Sequence, residues 1–300
     1  MKELVITERT LNVEKAFRDK NPKLASLLPS FVFSFLRRIV HEKEMNEFLF
    51  QHKDLEGLDF VDAVIKSAGA EVIVNGLENI SENQRQIIAA NHPLGGLDGL
   101  ALMHAVAKKR KDIIFPVNDL LMAIPNLRVL FIPINKHGSN AENIRIINDT
   151  FDSDKIVLYF PAGLVSRKND KGEIKDLEWQ TTFISRAVKH KRDVVPAFID
   201  GTNSKFFYNL AYWRKKFGIK ANIEMLFLAD EMYKQKGKKI TITFGKPIPY
   251  QTFDKRMNRK AWANTVKEYV YLLGEKGSDV PDFETFLKEK TGNSGEDNKA

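Results

Sequence analysis

The sequence contains no cysteine. Disulfide bonds, cysteine-ligated metals and a cysteine nucleophile are therefore excluded, and the absence fits a reducing compartment. The histidines do not show the spacing of a metal-binding helix such as H-E-x-x-H, so we expect no metal site. Phosphate-binding G-x-x-x-x-G-K loops, dinucleotide-binding G-x-G-x-x-G turns and G-x-S-x-G nucleophile elbows are also missing.

Long apolar runs are missing as well. No uncharged stretch approaches the roughly 18–20 residues that span a bilayer. The first residues lack the apolar core and the small-residue cleavage site of a signal peptide. The net charge is +8, which favours polyanionic partners, either nucleic acid or an anionic membrane surface. If a membrane is involved, we expect the protein to lie on it rather than cross it.

Hydrophobic periodicity predicts helices up to about residue 69 and alternating strands and helices after it. The apolar runs predicted as strands are 71–76, 86–90, 113–117, 129–134, 156–160, 194–199, 222–228 and 239–244. This alternation predicts an α/β fold with a mixed, largely parallel sheet flanked by helices. We expect four parts: an N-terminal helical, membrane-associating segment at 1–69, a main domain at 70–250, C-terminal helices at 251–290 and a disordered tail at 291–300. Within the third part, residues 250–276 are predicted as a single helix.

The most informative segment is 91–99, Asn-His-Pro-Leu-Gly-Gly-Leu-Asp-Gly, which joins a strand-like run to a helix-like run. A neutral His92 can take a proton from a hydroxyl group near neutral pH, and Asp98 can orient its ring and stabilise the imidazolium. Gly95 and Gly96 permit a tight turn and the close approach of a substrate. Taken alone, the segment fits an ordinary turn capped by Asp98 equally well.

Three further loops follow predicted strands. The loop at 134–136 ends in Lys136, which can pair with a phosphate or a carboxylate. In the loop at 160–168, Gly163 and the N–H groups after it can cradle an anion beside Arg167 and Lys168. The loop at 194–201 fits a plain buried strand. Taken singly, each also fits a solvated or purely structural loop.

In chain order, the four loops resemble the motifs of the 1-acylglycerol-3-phosphate acyltransferase (PlsC-like) family. Asn91, His92 and Asp98 match its N-H-x-x-x-x-D block, with five residues instead of four between His92 and Asp98. The other three blocks, I-D-R, F-P-E-G-T-R-S and V-P-V, are matched by 134–136, 160–166 and 195–197. The resemblance covers roughly residues 70–250 and makes that part the acyltransferase catalytic domain.

The departures from the family pattern concern the acceptor. Ala162 and Val165 stand where the family has Glu and Arg in its third block, which holds the glycerol phosphate of the acceptor, and Asn135-Lys136 replaces Asp-Arg in the second. The forms N-H-P-x-G-G-x-D and F-P-A-G are similar to the branch of ornithine-lipid and glycine-lipid O-acyltransferases, whose members often carry the label hemolysin. Their acceptor is a lyso-aminolipid bearing a carboxylate, which we expect Arg167, Lys168 or Lys136 to bind.

The resemblance implies an O-acyltransferase that acylates a lysolipid, either a lyso-aminolipid or lysophosphatidic acid, in membrane lipid synthesis. It implies that His92 is the general base and that Asp98 orients it. The residues expected to bind substrate are Asn91, Gly95, Gly96, Lys136, Pro161, Gly163, Ser166, Arg167 and Lys168. The acyl donor is expected to be a thioester of acyl carrier protein or coenzyme A, which is a co-substrate, so no cofactor is expected. We expect no nucleic acid partner and a location at the cytoplasmic face of the inner membrane, as a peripheral or monotopic protein.

Two segments are candidates for contact with an anionic membrane surface. Residues 24–36 carry no charge, contain Phe31 and Phe35 and precede two arginines, which suits an interfacial helix but also a helix buried against the core. Residues 205–216 mix aromatic and basic side chains, as at a lipid headgroup boundary or on a surface that stacks nucleic acid bases. The alternative to an enzyme is thus a basic, non-catalytic protein that binds membranes or nucleic acid.

Overall fold

The computed structural model describes residues 11–20, 22–117, 121–133 and 141–293. Lys136, in the second of the four loops, and residues 294–300 of the predicted tail lie outside the described residues. The tail was predicted to begin at residue 291, but residues 291–293 belong to the helix Phe283–Asn293.

Helices and strands alternate through the described part of the chain after a purely helical beginning. The helices are α1 (Val13–Lys20), α2 (Pro22–Leu27), α3 (Ser30–Ile39), α4 (Glu42–Gln51), α5 (Gly57–Ala68), α6 (Gly96–Ala107), α7 (Ala141–Asp152), α8 (Thr182–His190), α9 (Lys205–Lys216), α10 (Leu228–Lys234), α11 (Arg259–Lys276) and α12 (Phe283–Asn293). The strands are β1 (Glu71–Asn75), β2 (Gln86–Ala90), β3 (Ile113–Val117), β4 (Phe131–Pro133), β5 (Ile156–Tyr159), β6 (Arg167–Lys168), β7 (Ile174–Lys175), β8 (Asp193–Asp200) and β9 (Lys239–Phe244).

Within the described residues, seven strands form one sheet in the order β1-β9-β8-β2-β5-β3-β4, in which every pair is parallel except β8–β9. The mixed, largely parallel sheet flanked by helices is therefore confirmed. Strand β2, Gln-Ile-Ile-Ala-Ala, is buried along its whole length, as expected for a central strand covered on both faces. Strands β6 and β7 form a separate antiparallel hairpin.

The order of the strands brings three loops to one edge of the sheet. Strand β2 lies between β5 and β8 and is parallel to both, with Ile88 in register with Leu158 and Val195. The carboxyl ends of β2, β5 and β8 therefore lie side by side. In open α/β sheets this edge is where ligands bind. The segments that begin there are 91–95, 160–166 and 201–204.

Two of the predicted elements are wrong. Residues 222–228 were predicted as a strand, but Ile223–Phe227 forms a 3-10 helix that runs into α10. The short apolar run there, interrupted only by Glu224, mimics a strand, but Glu224 is fully buried and is paired with two arginines. The single helix predicted at 250–276 begins only at Arg259, because the side chain of Asn258 accepts a hydrogen bond from the N–H of Ala261 and caps it.

The apolar segment 24–36 is divided between two helices. Helix α2 ends at Leu27, and α3 begins after Pro29, whose extended backbone (φ −62°, ψ 154°) precedes the first turn. Helix α3 buries Phe33, Leu36 and Ile39. Among the described helices, none combines the length and the apolar composition that crossing a membrane requires.

Candidate active site

His92 and Asp98 meet in the loop between β2 and α6. The Nδ1 atom of His92 lies 3.1 Å from both carboxylate oxygens of Asp98. The additional residue between them, relative to the family spacing, is accommodated by Gly95, whose φ of +92° lies in a region that side chains disfavour. A Cβ atom at Gly95 would also approach the side chain of Leu228 to 3.1 Å. The sequence spacing therefore still brings the imidazole and the carboxylate together.

Asp98 is held in place by the start of its own helix. Its Oδ2 atom accepts hydrogen bonds from the N–H groups of Leu94 (2.7 Å) and Gly95 (3.1 Å), and its side chain is completely buried. An ionised carboxylate only accepts hydrogen bonds, so this contact assigns the proton of neutral His92 to Nδ1. The other ring nitrogen, Nε2, is then the unprotonated one, and the His92 side chain is 16% exposed. The ring can thus receive a proton at Nε2 while Asp98 stays buried behind it.

The ring of His92 is also held from its face. It stacks on the ring of Phe160 with a centroid distance of 4.2 Å and an interplanar angle of 17°. Phe160, the first residue after β5, packs edge to face on Phe115 of β3 at 5.2 Å. Burial, and to a smaller extent the charge of Arg167, lower the pKa of His92. The charge and hydrogen bond of Asp98 and the charge of Asp176 raise it, and together they outweigh the lowering effects. The pKa of His92 therefore lies above its ordinary value of 6.5.

The main chain of His92 is fixed on both sides of its Cα atom. Its N–H donates to Oδ1 of Asp176 at 3.1 Å, and its carbonyl oxygen accepts from the N–H of Ser166 at 2.8 Å. The hydroxyl of Ser166 in turn donates to Oδ1 of Asp176 at 2.6 Å. Ser166 therefore lies beside His92 and links the first and third sequence blocks.

Three other predicted residues on these loops hydrogen-bond to the main chain of the protein. Asn91 uses its side chain on the main chain of Ile199, accepting at Oδ1 (2.7 Å) and donating from Nδ2 (3.0 Å), so it joins β2 to β8. The carbonyl of buried Pro161 accepts from the N–H of Gln180. The N–H of Gly163, a residue with φ +64°, donates to the carbonyl of Phe160. A substrate-binding role for these residues stays a prediction.

Among the cations, Lys168 is exposed, whereas Arg167 is buried in a network of protein groups. The guanidinium of Arg167 donates to the carbonyl of Val165 and to Glu224 (2.9 Å), and it lies 5.0 Å above the ring of Phe207. Glu224 is paired with Arg214 as well, at 2.7 Å. Arg167 therefore ties the third block to α9 and to the 3-10 helix before α10, which leaves Lys168 as the cation of this loop that faces solvent.

Several residues around His92 carry no recognisable sequence signal. Asp176 is 84 positions from His92, and its segment Ile-Lys-Asp-Leu resembles no functional motif. Trp179 and Tyr271, which hydrogen-bond to Asp176, are still farther from His92 in sequence. Phe160 belongs to the third block, but only its position after β5 suggests that it would reach the histidine.

Comparison with known proteins gives a consistent result. A family model described as Acyltransferase matches residues 15–278. Two curated relatives, from Bacteroides thetaiotaomicron and Phocaeicola vulgatus, are both named lyso-glycine lipid O-acyltransferase. Each is 46% identical to this chain over 265 residues, which is 88% of this chain. The match covers 97% of the Bacteroides protein and 95% of the Phocaeicola protein. The crystal structure of the 1-acyl-sn-glycerophosphate acyltransferase PlsC from Thermotoga maritima aligns with 17% identity and a TM-score of 0.43 over 83% of this chain and 95% of that one.

Proposed function

Since this chain belongs to the acyltransferase family, we propose that it transfers an acyl group from a carrier thioester to the hydroxyl group of a lysolipid. The observation that carries this proposal is the His92–Asp98 pair, which lies at the carboxyl edge of the sheet with the carboxylate buried and the imidazole accessible. The names of the curated relatives support a lyso-glycine lipid as the acceptor. The reaction would then make a two-chain membrane lipid from a one-chain precursor.

In this mechanism His92 acts as a general base. Its Nε2 atom takes the proton of the acceptor hydroxyl as the oxygen attacks the thioester carbonyl, so the oxygen–carbon bond forms without free alkoxide. Asp98 holds the ring and stabilises the imidazolium. Collapse of the tetrahedral intermediate breaks the carbon–sulfur bond, and the imidazolium returns the proton to the departing thiolate. The chain has no cysteine, so the thiol released is that of the carrier.

An oxyanion forms on the thioester oxygen during the attack and needs N–H donors. The N–H groups of Gly95 and Gly163 already donate to Asp98 and to the carbonyl of Phe160. Gly96 opens α6, and the first N–H groups of a helix have no acceptor within it. We therefore assign this role to the N–H of Gly96, where the positive end of the helix dipole also favours negative charge.

The acceptor headgroup can be tested with a panel of one-chain lipids. Lyso-glycine lipid, lyso-ornithine lipid and lysophosphatidic acid are offered in parallel, together with the methyl ester of lyso-glycine lipid, which lacks the carboxylate charge. We expect the highest kcat/KM with lyso-glycine lipid and about a 10-fold or greater loss with its ester, because a hydrogen bond to a charged group is removed. Equal rates with the ester and the acid would contradict recognition of the carboxylate.

Exposed Lys168, two residues after the third block, is expected to meet this carboxylate. In the same panel, Lys168→Gln should lower kcat/KM for lyso-glycine lipid and leave the ester unchanged. If the variant lowers both equally, Lys168 has another role. Acyl transfer to none of the four acceptors, from either an acyl carrier protein or a coenzyme A thioester, would contradict the proposed function itself.

The same proposal includes a membrane surface that combines the two candidate segments. On α3, Phe31 and Phe35 are 71% and 52% exposed. The ring of Phe35 packs on Phe227 at 6.3 Å, and Phe227 packs on Phe206 of α9 at 5.0 Å. We call this surface the aromatic face. We include in it exposed Trp213, which is seven residues after Phe206 and therefore on the same side of α9, and exposed Phe217, whose ring stacks on that of Trp213 at 5.9 Å.

The charge of the aromatic face suits an anionic bilayer. Lys205, Lys215 and Lys216 are exposed on α9, and Arg38 is exposed at the end of α3. Exposed aromatic residues with neighbouring lysines match the headgroup boundary of a bilayer. The buried side of α9 packs on Val165, next to Ser166. A bilayer docked on this face would thus lie close to the loops around His92, where a lysolipid must arrive.

The aromatic face gives a direct prediction for membrane binding. The double variant Phe31→Asp/Phe35→Asp should lose most co-sedimentation with phosphatidylglycerol vesicles, because two charges replace exposed aromatic rings on the bound side. The matched control is Val129→Asp/Ile146→Asp, which adds the same charge at two exposed apolar residues outside this face. Equal vesicle binding by the two double variants would show that this face does not dock on the membrane.

A further inference from the structure

Asp176 is a buried acidic residue that the mechanism above does not use. It follows the β6–β7 hairpin and is 5% exposed. Oδ1 accepts from the N–H of His92 and from the hydroxyl of Ser166, and Oδ2 accepts from Nε1 of Trp179 at 2.8 Å. Three donors point at this carboxylate, which is the arrangement of an ionised group.

Helix α11 supports Asp176 from the other side. The backbone N–H of Asp176 donates to the hydroxyl oxygen of Tyr271 at 2.7 Å, and the backbone carbonyl of Asp176 accepts from Nζ of Lys267 at 2.6 Å. Both partners belong to α11. Burial and the charge of Asp176 raise the pKa of Tyr271, so the phenol stays neutral and can accept this bond. Every polar group of Asp176 is thus engaged, and the residue links α11 rigidly to the main chain of His92.

We propose that Asp176 is a positioning residue of the acyl-transfer reaction, which holds the main chain of His92 while Asp98 holds its ring. This inference rests on the proposed role of His92 as general base. The two carboxylates act at different points: Asp98 at Nδ1 of the imidazole, and Asp176 at the backbone N–H and, through Ser166, at the backbone carbonyl. Together they fix both the location and the orientation of Nε2, on which the rate of proton transfer depends.

The charge of Asp176 adds a second effect. The charged groups that face His92 are Asp98 from α6, Asp176 from the segment after β7 and Arg167 from β6; the first two raise the pKa of His92 and the third lowers it. Burial holds the pKa of Asp176 above its ordinary value, although the hydrogen bonds from Ser166, Trp179 and the N–H of His92, and the charge of His92, act in the opposite direction. Lys267 and Tyr271 are the titratable groups that contact Asp176 from α11. Removing the charge of Asp176 should therefore lower the pKa of His92.

The test is Asp176→Asn, with two measurements. The first is kcat in the acyl-transfer assay, for which we expect a loss of about 10²-fold with little change in KM, as for a misplaced catalytic group. The second is the NMR titration of the His92 imidazole in the protein without substrate, which should show a lower pKa than in the wild type. The acid limb of kcat/KM should move to lower pH in parallel, because a base with a lower pKa stays neutral to lower pH.

Two further variants keep this test decisive. Asp170→Asn removes the same charge from the exposed turn of the same hairpin and should change neither kcat nor the titration. In Asp176→Asn the new amide can turn its N–H toward the indole N–H of Trp179, so that two donors face each other. If this contact makes the single variant fold poorly, Asp176→Asn/Trp179→Phe removes the indole donor. This double variant should show the same loss of kcat and the same lower pKa of His92. An unchanged kcat, or an unchanged titration of His92, in a folded variant would overturn the proposal.

These outcomes are separable from a failure of the proposed function. If His92→Ala keeps wild-type turnover, the general base is assigned wrongly, and the positioning role of Asp176 is overturned with it. If His92→Ala is inactive while Asp176→Asn is fully active, only the inference about Asp176 is overturned.

Discussion

Replacing His92 with alanine should lower kcat by roughly 10²–10⁴-fold, which is the range that general base catalysis contributes. The protein should remain folded, because the contacts that fix this loop run through the main chain: the N–H of His92 to Asp176 and its carbonyl to Ser166. Alanine retains both groups. Initial rates at saturating acceptor and donor, with circular dichroism to confirm folding, measure this effect.

The chain supplies a matched control for His92→Ala. His104 lies on α6 and forms a second His–Asp pair, with Nδ1 of His104 at 2.6 Å from Asp62, but both side chains are partly exposed and neither contacts the loops of the site. We expect His104→Ala to keep wild-type turnover. If both histidine variants lose activity to the same extent, or neither loses it, His92 is not the base.

Replacing Asp98 with asparagine should lower kcat by about 10³–10⁴-fold, the loss seen when the orienting carboxylate of a His–Asp pair becomes an amide. Three N–H groups point at Asp98, those of Leu94 and Gly95 and Nδ1–H of His92. An amide has one acceptor oxygen for them, and its own N–H favours the tautomer of His92 that is protonated on Nε2. That tautomer cannot take a proton from the acceptor at Nε2.

The pH dependence separates this effect from general damage. Asp98 raises the pKa of His92, so Asp98→Asn should move the acid limb of the residual kcat/KM to lower pH. Asp62→Asn, at the second pair, is the control and should leave both the rate and the acid limb unchanged. Activity of Asp98→Asn within a few-fold of the wild type would mean that the carboxylate does no more than cap α6.

Most strands of the sheet and the contact between His92 and Asp98 could be predicted from the sequence because their determinants are local. After Gln86, strand β2 is an apolar run that leads into the His92 loop, and Asp98 is only six positions from that histidine. The order of the four loops identified the acyltransferase family and its glycine-lipid branch, which the family match and the curated relatives confirm. These features can be predicted without knowing how distant segments of the chain pack against one another.

What could not be predicted depends on contacts across long stretches of sequence. Glu224 lies in a 3-10 helix rather than in the predicted strand, and its buried carboxylate is paired with Arg167 and Arg214. The same pairing takes Arg167, predicted to meet the acceptor, into a buried network. Asp176 reaches His92 only because the β6–β7 hairpin folds back over the loop after β2, which no local pattern encodes.

The measurement that tests the account most directly is release of the carrier thiol, followed with a thiol-reactive dye. The protein has no cysteine of its own, so the dye reports only the coenzyme A or acyl carrier thiol that leaves when the thioester is consumed. We predict that release requires a lysolipid with a free hydroxyl group and equals, mole for mole, the new ester found by mass spectrometry. Release that proceeds equally fast without the lysolipid, or a complete lack of release with every acceptor and both donors, would contradict the account.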